Sequence, residues 1–403
     1  MSNPELVSFI QECDVKLFDE GCTSVIDVIG KFIENNEDES AFYIVNIKKI
    51  VEQYEKWNEH LPRVKPFYAV KCNPNPVITK LLNSFNVGFD CASKNEISQI
   101  ISQGTDPENV IFANPCKASG QIKFARSEDV DLMTFDDVHE LYKIKLYHPH
   151  AKLVLRIMVD DSKSVCKFNC KFGAHRDEIG NILNIAKSLG LNVIGVSFHV
   201  GSNCLDAKTY YNAIEDVKKI FDVAKEVGLA FNLVDIGGGF PGYDKDDSVT
   251  FEEIAKEINR GIDDFFPGDD VEIIAEPGRY FVCSSHTLVT NVIGKKKIGE
   301  KFIYISRCIY GSQLCLLDHV NQSYAYNERE GKRYESTSSV QRVTRSISYP
   351  KAVNSQIWRS ANGSTSKTLG RIRVRLRVHS MGSNRHVVCF VLCNLSPPKK
   401  CVK

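Results

Sequence analysis

The chain has 403 residues, 43 % hydrophobic and 25 % charged, with a formal net charge of +1. That length supports a sizeable core and two domains, and the whole-chain charge gives no reason to expect a nucleic-acid partner. No apolar run approaches the ~20 residues of a membrane span, the N-terminus lacks the cationic and apolar pattern of a leader, and the 14 cysteines are scattered without paired C-x-x-C spacing. The expectation is a cytoplasmic chain with reduced thiols, no zinc or other metal site, and no membrane partner.

The first clear β-rich run is PFYAVK (66–71), which ends on a lysine before the turn-forming CNPNP. A strand-end lysine usually turns out to solvent. A lysine whose pKa is lowered by its surroundings can instead act as a nucleophile and form a Schiff base. Seven further runs follow: 86–93, 109–114, 131–136, 152–157, 193–202, 231–239 and 271–278. Between several of them lie stretches such as NPVITKLLNSF, SKNEISQIISQG and TFEEIAKEINRGIDDFF, with apolar residues at i, i+3, i+4 and i+7. Eight strands alternating with helices predict an α/β fold, a closed (β/α)8 TIM-type barrel over residues 46–285, with a doubly wound open sheet as the alternative. Past 285 the helical pattern fades. SHTLVTNVIGKKKI and KFIYISRCIYGSQLCLLDH read as antiparallel strands of a second, β-rich domain over 286–340, joined by residues 1–45.

In a barrel, chemistry gathers at the carboxyl ends of the strands. Lys71, Asp90, Arg156, His199, Gly237, Gly238, Gly239 and Glu276 all fall there. The glycines of DIGGGFPG let backbone N–H groups approach an anion, although glycine-rich turns are common after strands. AEPGR puts Glu276 and Arg279 three residues apart. They form either a strand-end ion pair or, divided between two tasks, a partner for a protonated heterocycle nitrogen and a partner for a phosphate. His199 in SFHVGS is either a packed histidine or a flat ring to stack on a cofactor, with Ser202 beyond it. A lysine, a carboxylate, a flat ring and a Gly/Arg/Ser cradle are the parts that pyridoxal 5'-phosphate requires.

The segments PFYAVKCNPNP, GFDCASKNEI, IFANPCK, KLVLRI, KFGA, SFHVGS, DIGGGFPG, AEPGRY and LLDH, in this order, resemble the eukaryotic ornithine decarboxylase family from about residue 8 to Val340. The resemblance implies a pyridoxal-phosphate enzyme that converts L-ornithine to putrescine in polyamine biosynthesis, built as a barrel plus a β-domain and working as a homodimer. It implies that Lys71 is the Schiff-base lysine, that Glu276 holds the pyridine nitrogen and that His199 stacks on the ring. Ser202, Gly239 and the stretch Glu276, Pro277, Gly278, Arg279 would bind the phosphate, and Asp90, Glu96 and Arg156 would lie near the cofactor. Asp318 would grip the substrate's distal amine, with Leu317 beside it in a position usually held by an aromatic. NPCKASGQIKFARSEDVDLMTFD resembles the surface on which the family binds antizyme; read plainly it is a solvated helix and strand.

The resemblance stops after YESTSSV (334–340). The family's Cys-Asp pair, which supplies the proton donor and a carboxylate for the partner subunit's substrate, is absent, and MGSN at 381–384 lacks the family's tyrosine. From Ser336 to Lys403 there are 13 Lys or Arg and no Asp or Glu, so the preceding 335 residues carry −12. This atypical basic stretch, 341–403, is open to three readings: a shifted reading frame, a divergent isoform, or a basic tail for an acidic partner. The expected activity is therefore ornithine decarboxylation by an impaired enzyme. The alternatives are a non-catalytic antizyme-binding homologue and a decarboxylase of another basic amino acid.

Overall fold

The computed structural model describes residues 8–10, 12–13, 15–18, 24–34, 42–166, 171–243, 249–298, 301–306 and the strands at 323–325, 333–340, 353–356, 371–374 and 388–391; from residue 290 onward it describes the course of the strands alone. The chain divides into two compact units, residues 52–282 and residues 1–51 with 283–403.

The first unit is a closed barrel of eight parallel strands: β1 Val64–Ala69, β2 Gly88–Cys91, β3 Val110–Phe112, β4 Leu132–Phe135, β5 Lys152–Arg156, β6 Asn192–Ser197, β7 Leu233–Asp235 and β8 Glu272–Ala275. The strands pair in chain order, and β8 closes on β1 with Ile273 opposite Val64 and Ala275 opposite Pro66. The open-sheet alternative is thereby excluded. Phe67, Ile111, Ala113, Val154, Leu233 and Ile274 fill the interior as one cluster, which is why these short strands read as apolar runs without a polar face. Gly195 is required by β7: a Cβ there would lie 2.1 Å from the Leu233 carbonyl oxygen.

A helix precedes every strand: α1 Ile47–His60, α2 Pro76–Ser84, α3 Lys94–Ser102, α4 Ser119–Ser127, α5 Val138–Tyr147, α6 Ile179–Ser188, α7 Lys208–Val227 and α8 Phe251–Phe265. Their ends follow local chemistry. Asn75 caps α2 by accepting from the Val77 N–H at 3.0 Å, with Pro76 at the first helical position. Thr250 and Glu253 form a reciprocal capping box on α8, and Gly228 ends α7 in the left-handed region at φ 82°. Trp57 of α1 is fully buried among Phe240, Phe251, Tyr280 and Phe281 and donates its indole N–H to the Val64 carbonyl at 2.8 Å, which pins α1 to the start of β1.

In the second unit, Phe42–Asn46, His286–Ile298, Lys301–Ser306 and Arg333–Val340 join a nine-stranded sheet with Val15–Phe18 and Ser323–Ala325. His286–Ile298 runs antiparallel to both Phe42–Asn46 and Lys301–Ser306. Val28, Ile29, Phe32, Phe42, Ile44 and Val289 pack together beside it. The basic stretch supplies the other three strands: Val353–Gln356 pairs with Arg333–Val340, Arg371–Val374 with His286–Ile298, and Val388–Val391 with both Phe42–Asn46 and Val15–Phe18. Among the described residues, no helix is long and apolar enough to cross a membrane.

Candidate active site

Every described candidate residue lies at the carboxyl-terminal edge of the barrel. Leu317 and Asp318 lie outside the described residues. β1 stops at Ala69, two residues short of Lys71, because the Ala69 N–H turns to the Pro277 carbonyl (3.2 Å) and Val70–Cys72 tightens into a 3-10 turn. Tyr68, fully buried, donates its hydroxyl to the Asn73 carbonyl at 3.0 Å and holds the exit of that turn.

The turn aims the Lys71 ammonium at Asp90 of β2, to whose Oδ2 it is hydrogen-bonded. Asp90 is completely buried, whereas 51 % of the Lys71 side-chain surface is accessible from the barrel mouth. Burial pushes the Lys71 pKa down, but the carboxylates of Asp90, Glu276 and Glu96 outweigh it and raise the pKa above its ordinary value. The lowered-pKa reading of Lys71 is therefore corrected: Asp90 first, and the neighbouring carboxyl groups with it, stabilise the ammonium more than desolvation destabilises it. Glu96 also has a structural task. Its Oε2 accepts the Ala92 N–H at 2.5 Å while Ser93 Oγ accepts the Glu96 N–H at 3.4 Å, which caps α3.

Opposite them, β6 and β7 deliver an interlocked pair of turns. The Gly201 N–H donates to His199 Nδ1 at 3.0 Å, which assigns the ring proton to Nε2. Burial and the charges of Arg156, Lys71 and Arg279 hold the His199 pKa well below the usual imidazole value, so the ring is neutral. Gly237 sits at φ 65°, and a Cβ there would meet the Phe198 carbonyl oxygen at 2.1 Å; at Gly238 it would meet the Glu276 carbonyl oxygen at 2.7 Å, and at Gly239 the Gly201 carbonyl oxygen at 2.3 Å. Each glycine is thus demanded by a neighbouring backbone.

Two further residues that the sequence reading did not single out support this turn. Asp235 Oδ1 accepts the Gly237 N–H at 2.9 Å, and the buried Tyr210 of α7 donates its hydroxyl to the Gly238 carbonyl at 3.0 Å. Asp235 was legible as part of DIGGGFPG, but a buried aspartate before the glycines is the only hint there.

β8 completes the edge. The Glu276 N–H donates to the Gly237 carbonyl at 2.7 Å. Its Oε1 and Asp235 Oδ2 are both buried without a hydrogen-bond partner among the described residues. Burial, then Asp235 and Asp90, push Glu276 well above the usual carboxylate range; burial, with Asp90 adding to it, raises Asp235 to about 7. Gly278 packs against Cys72, where a Cβ would come within 2.9 Å of the Cys72 Cβ. Arg279 donates through Nη2 to Ser202 Oγ at 2.9 Å, and Ser202 is placed by a two-stranded ladder, Ser202–Cys204 with Ser164–Cys166.

The arrangement fits pyridoxal phosphate. A buried carboxylate oxygen at Glu276 lacks a donor that a ring N–H supplies, a lysine amine faces the same space, and Arg279, Ser202 and bare glycine backbone offer cations and donors for a phosphate. Two surface clefts lie elsewhere: one of about 550 Å³ lined by Glu59, His60, Glu252 and Asn259, and one of about 410 Å³ at the amino-terminal face, lined by Arg63, Lys65 and Glu272. Neither contains the groups above. Among the described residues, no cluster of three or more His, Cys, Asp or Glu is arranged to hold a metal ion.

Residues 47–283 match the family described as pyridoxal-dependent decarboxylase, pyridoxal binding domain. The chain is 43 % identical over 349 residues to the ornithine decarboxylase of Rattus norvegicus, covering 81 % of this chain and 76 % of that protein. It is 44 % identical over 330 residues to antizyme inhibitor 2 of Xenopus laevis, covering 78 % and 72 %. Among solved structures, the arginine decarboxylase of Paramecium bursaria Chlorella virus bound to agmatine superposes with a TM-score of 0.81 at 32 % identity, over 92 % of this chain and 100 % of that one.

Proposed function

The chain belongs to the pyridoxal-dependent decarboxylase family, and from that premise we propose that it decarboxylates L-ornithine to putrescine with pyridoxal 5'-phosphate as cofactor. The observation that carries the reading is the convergence of Lys71, Asp90, His199, Glu276 and Arg279 from four different strand ends on one edge of the barrel. When bound, the cofactor supplies an electron sink for the pair released as carbon dioxide leaves.

The chain's own groups divide the remaining work. Lys71 would hold the cofactor aldehyde. Its Nζ must first lose a proton, and Asp90 Oδ2, already hydrogen-bonded to it, is the adjacent acceptor. Glu276, pushed towards its protonated form, would give up that proton at Oε1 to a ring nitrogen and remain as its counter-charge. Being neutral, His199 would offer a flat ring without adding positive charge beside that nitrogen. Arg279, Ser202 and Gly239 would take the phosphate, and Arg156 and Glu96 would set the surrounding charge. A basic amino acid matches the substrates named for both the rat and the viral relatives, and ornithine is the one named for the relative of higher identity.

A homodimer and cytoplasmic residence belong to the same reading. The described cysteines Cys13, Cys72, Cys91, Cys116, Cys204 and Cys283 are thiols, not disulfide partners, which suits a reducing compartment. Antizyme binding through residues 114–136 is the second reading, favoured by the likeness to antizyme inhibitor 2. The test is carbon dioxide release from L-ornithine, L-lysine and L-arginine by the full chain loaded with cofactor. Release that is fastest from ornithine supports the proposal. Tight cofactor binding with no release from any of the three, together with antizyme capture, would replace it by the second reading.

A further inference from the structure

The Arg156 guanidinium is covered by an aromatic ring from outside the strand ends. Its guanidinium carbon lies 5.0 Å from the centre of the Phe172 ring. Phe172 lies in a short strap, residues 171–174, that pairs with the end of β5 and the residues just beyond it. The Ala174 N–H donates to the Arg156 carbonyl at 2.8 Å, the Met158 N–H donates back to the Ala174 carbonyl at 3.1 Å, and Ile157 and Ala174 form a parallel bridge. Between Phe172 and Ala174, Gly173 adopts φ 102°, and a Cβ there would press within 2.8 Å of the Ile157 carbonyl carbon and the Met158 nitrogen. The Gly173 N–H is taken at 2.8 Å by Oδ2 of Asp136, one residue beyond β4. The strap is therefore tied at three points: twice to the strand that carries Arg156 and once to the neighbouring strand end.

What the strap grips matters for the site. Arg156 acts electrostatically on His199, Glu276, Asp235 and Asp136, so it is a cation shared by the neutral histidine and the carboxyl groups around it. An arginine has several rotatable bonds and loses its charge-placing value if it swings to solvent. A ring face over the guanidinium removes that freedom without adding a competing charge.

We propose that Phe172, held in place by the Asp136–Gly173 hydrogen bond, is a positioning residue that fixes the Arg156 guanidinium over the cofactor-binding edge. The part of this inference that concerns the cofactor rests on the function proposed above; the placement of Arg156 does not.

The test separates the two. Arginine side-chain NMR of the cofactor-free full chain, with the Arg156 Nε–H resonance assigned through Arg156→Lys, reads the ring directly. Phe172→Leu removes the ring but keeps an apolar side chain, and Phe172→Tyr restores the ring. The Arg156 resonance should shift in Phe172→Leu and return close to its original place in Phe172→Tyr. Asp136→Ala should reproduce the Phe172→Leu shift, whereas Asp136→Asn, which keeps an oxygen for the Gly173 N–H, should not. Titration with pyridoxal phosphate should then show affinity about tenfold weaker in Phe172→Leu and Asp136→Ala, a factor equal to about 1.4 kcal/mol and within the range of a desolvated cation–π contact. An Arg156 resonance unmoved by Phe172→Leu, or equal weakening in Phe172→Leu and Phe172→Tyr, would overturn the inference. If the unaltered chain took up no cofactor while the resonance moved as stated, the proposed function would fail and the positioning role would stand.

Discussion

Lys71 and Asp90 illustrate how one side chain sets another's reactivity. The lysine is held protonated because its neighbours are anionic, so neutralising the nearest neighbour should release it. In Asp90→Asn, the Lys71 pKa falls, and the pH above which the amine captures the cofactor aldehyde, followed by absorbance, should move to lower values. An unchanged or higher pH would show that Asp90 does not control this lysine. Asp235 makes the opposite kind of prediction. Its folded-state pKa of about 7 lies above the carboxylate's ordinary 3.8. A raised pKa means stability that is complete below about 4 and lost as pH climbs through 7, because the folded chain keeps a proton the unfolded chain has released. Asp235→Asn keeps an oxygen for the Gly237 N–H and removes the titration. Urea unfolding of the cofactor-free chain should show Asn more stable than Asp at pH 8 and nearly equal at pH 4. A difference as large at pH 4 would assign the effect to packing instead.

At the level of elements, Glu96 carries two duties that a pair of substitutions divides. Glu96→Gln keeps an oxygen for the Ala92 N–H and should leave thermal stability nearly unchanged while weakening the field on Lys71. Glu96→Ala loses the cap and should cost about 1 kcal/mol in unfolding free energy. Equal stability of the two variants would refute the capping role. The same scale shows what could be read from the residues alone. All eight strands were legible because a barrel strand buried on both faces is an unbroken apolar run flanked by turn formers. The end of β1 was not, because nothing local in PFYAVK reveals that Ala69 donates to Pro277, some 200 residues further on. α4 was visible only as a solvated helix, since just Ile122 and Ala125 of its nine residues are buried and the apolar stripe is too thin to show a period. Lys71, His199, the glycines and Glu276 stood out because each sits beside a strand end in a chemically unusual pattern. Tyr210 did not, and Phe172 and Asp136 surfaced only inside longer quoted segments without a role of their own, because their contribution is a contact with another element.

For the molecule as a whole, the stretch after Val340 is where family resemblance and folded architecture part. It lacks the Cys-Asp pair and the tyrosine that the resemblance calls for, yet Val353–Gln356, Arg371–Val374 and Val388–Val391 pair with strands from the more typical part of the chain. The strand Phe42–Asn46 is flanked by His286–Ile298 on one side and Val388–Val391 on the other. A chain ending at Val340 would leave the second side of Phe42–Asn46 as an open edge, which invites pairing between molecules. Sedimentation of such a chain should therefore show concentration-dependent association beyond that of the full chain. Its barrel, whose strands and interior cluster all lie between Val64 and Ala275, should keep binding pyridoxal phosphate. Turnover is a separate matter, because cofactor capture needs only the barrel edge whereas finishing the reaction needs a proton donor. If the proton donor is the Cys-Asp pair that the resemblance calls for, its absence leaves protonation to water or a poorly placed group, and kcat should lie about 10²–10⁴ below that of an enzyme with such a donor, the usual weight of positioned general acid catalysis. The cofactor dissociation constant should differ far less. Comparing both quantities in the full chain and in a decarboxylase of the family that carries the pair checks the division: a kcat within about tenfold would mean that a donor from elsewhere in this chain replaces that pair, and a matching loss in cofactor affinity would move the defect into the barrel.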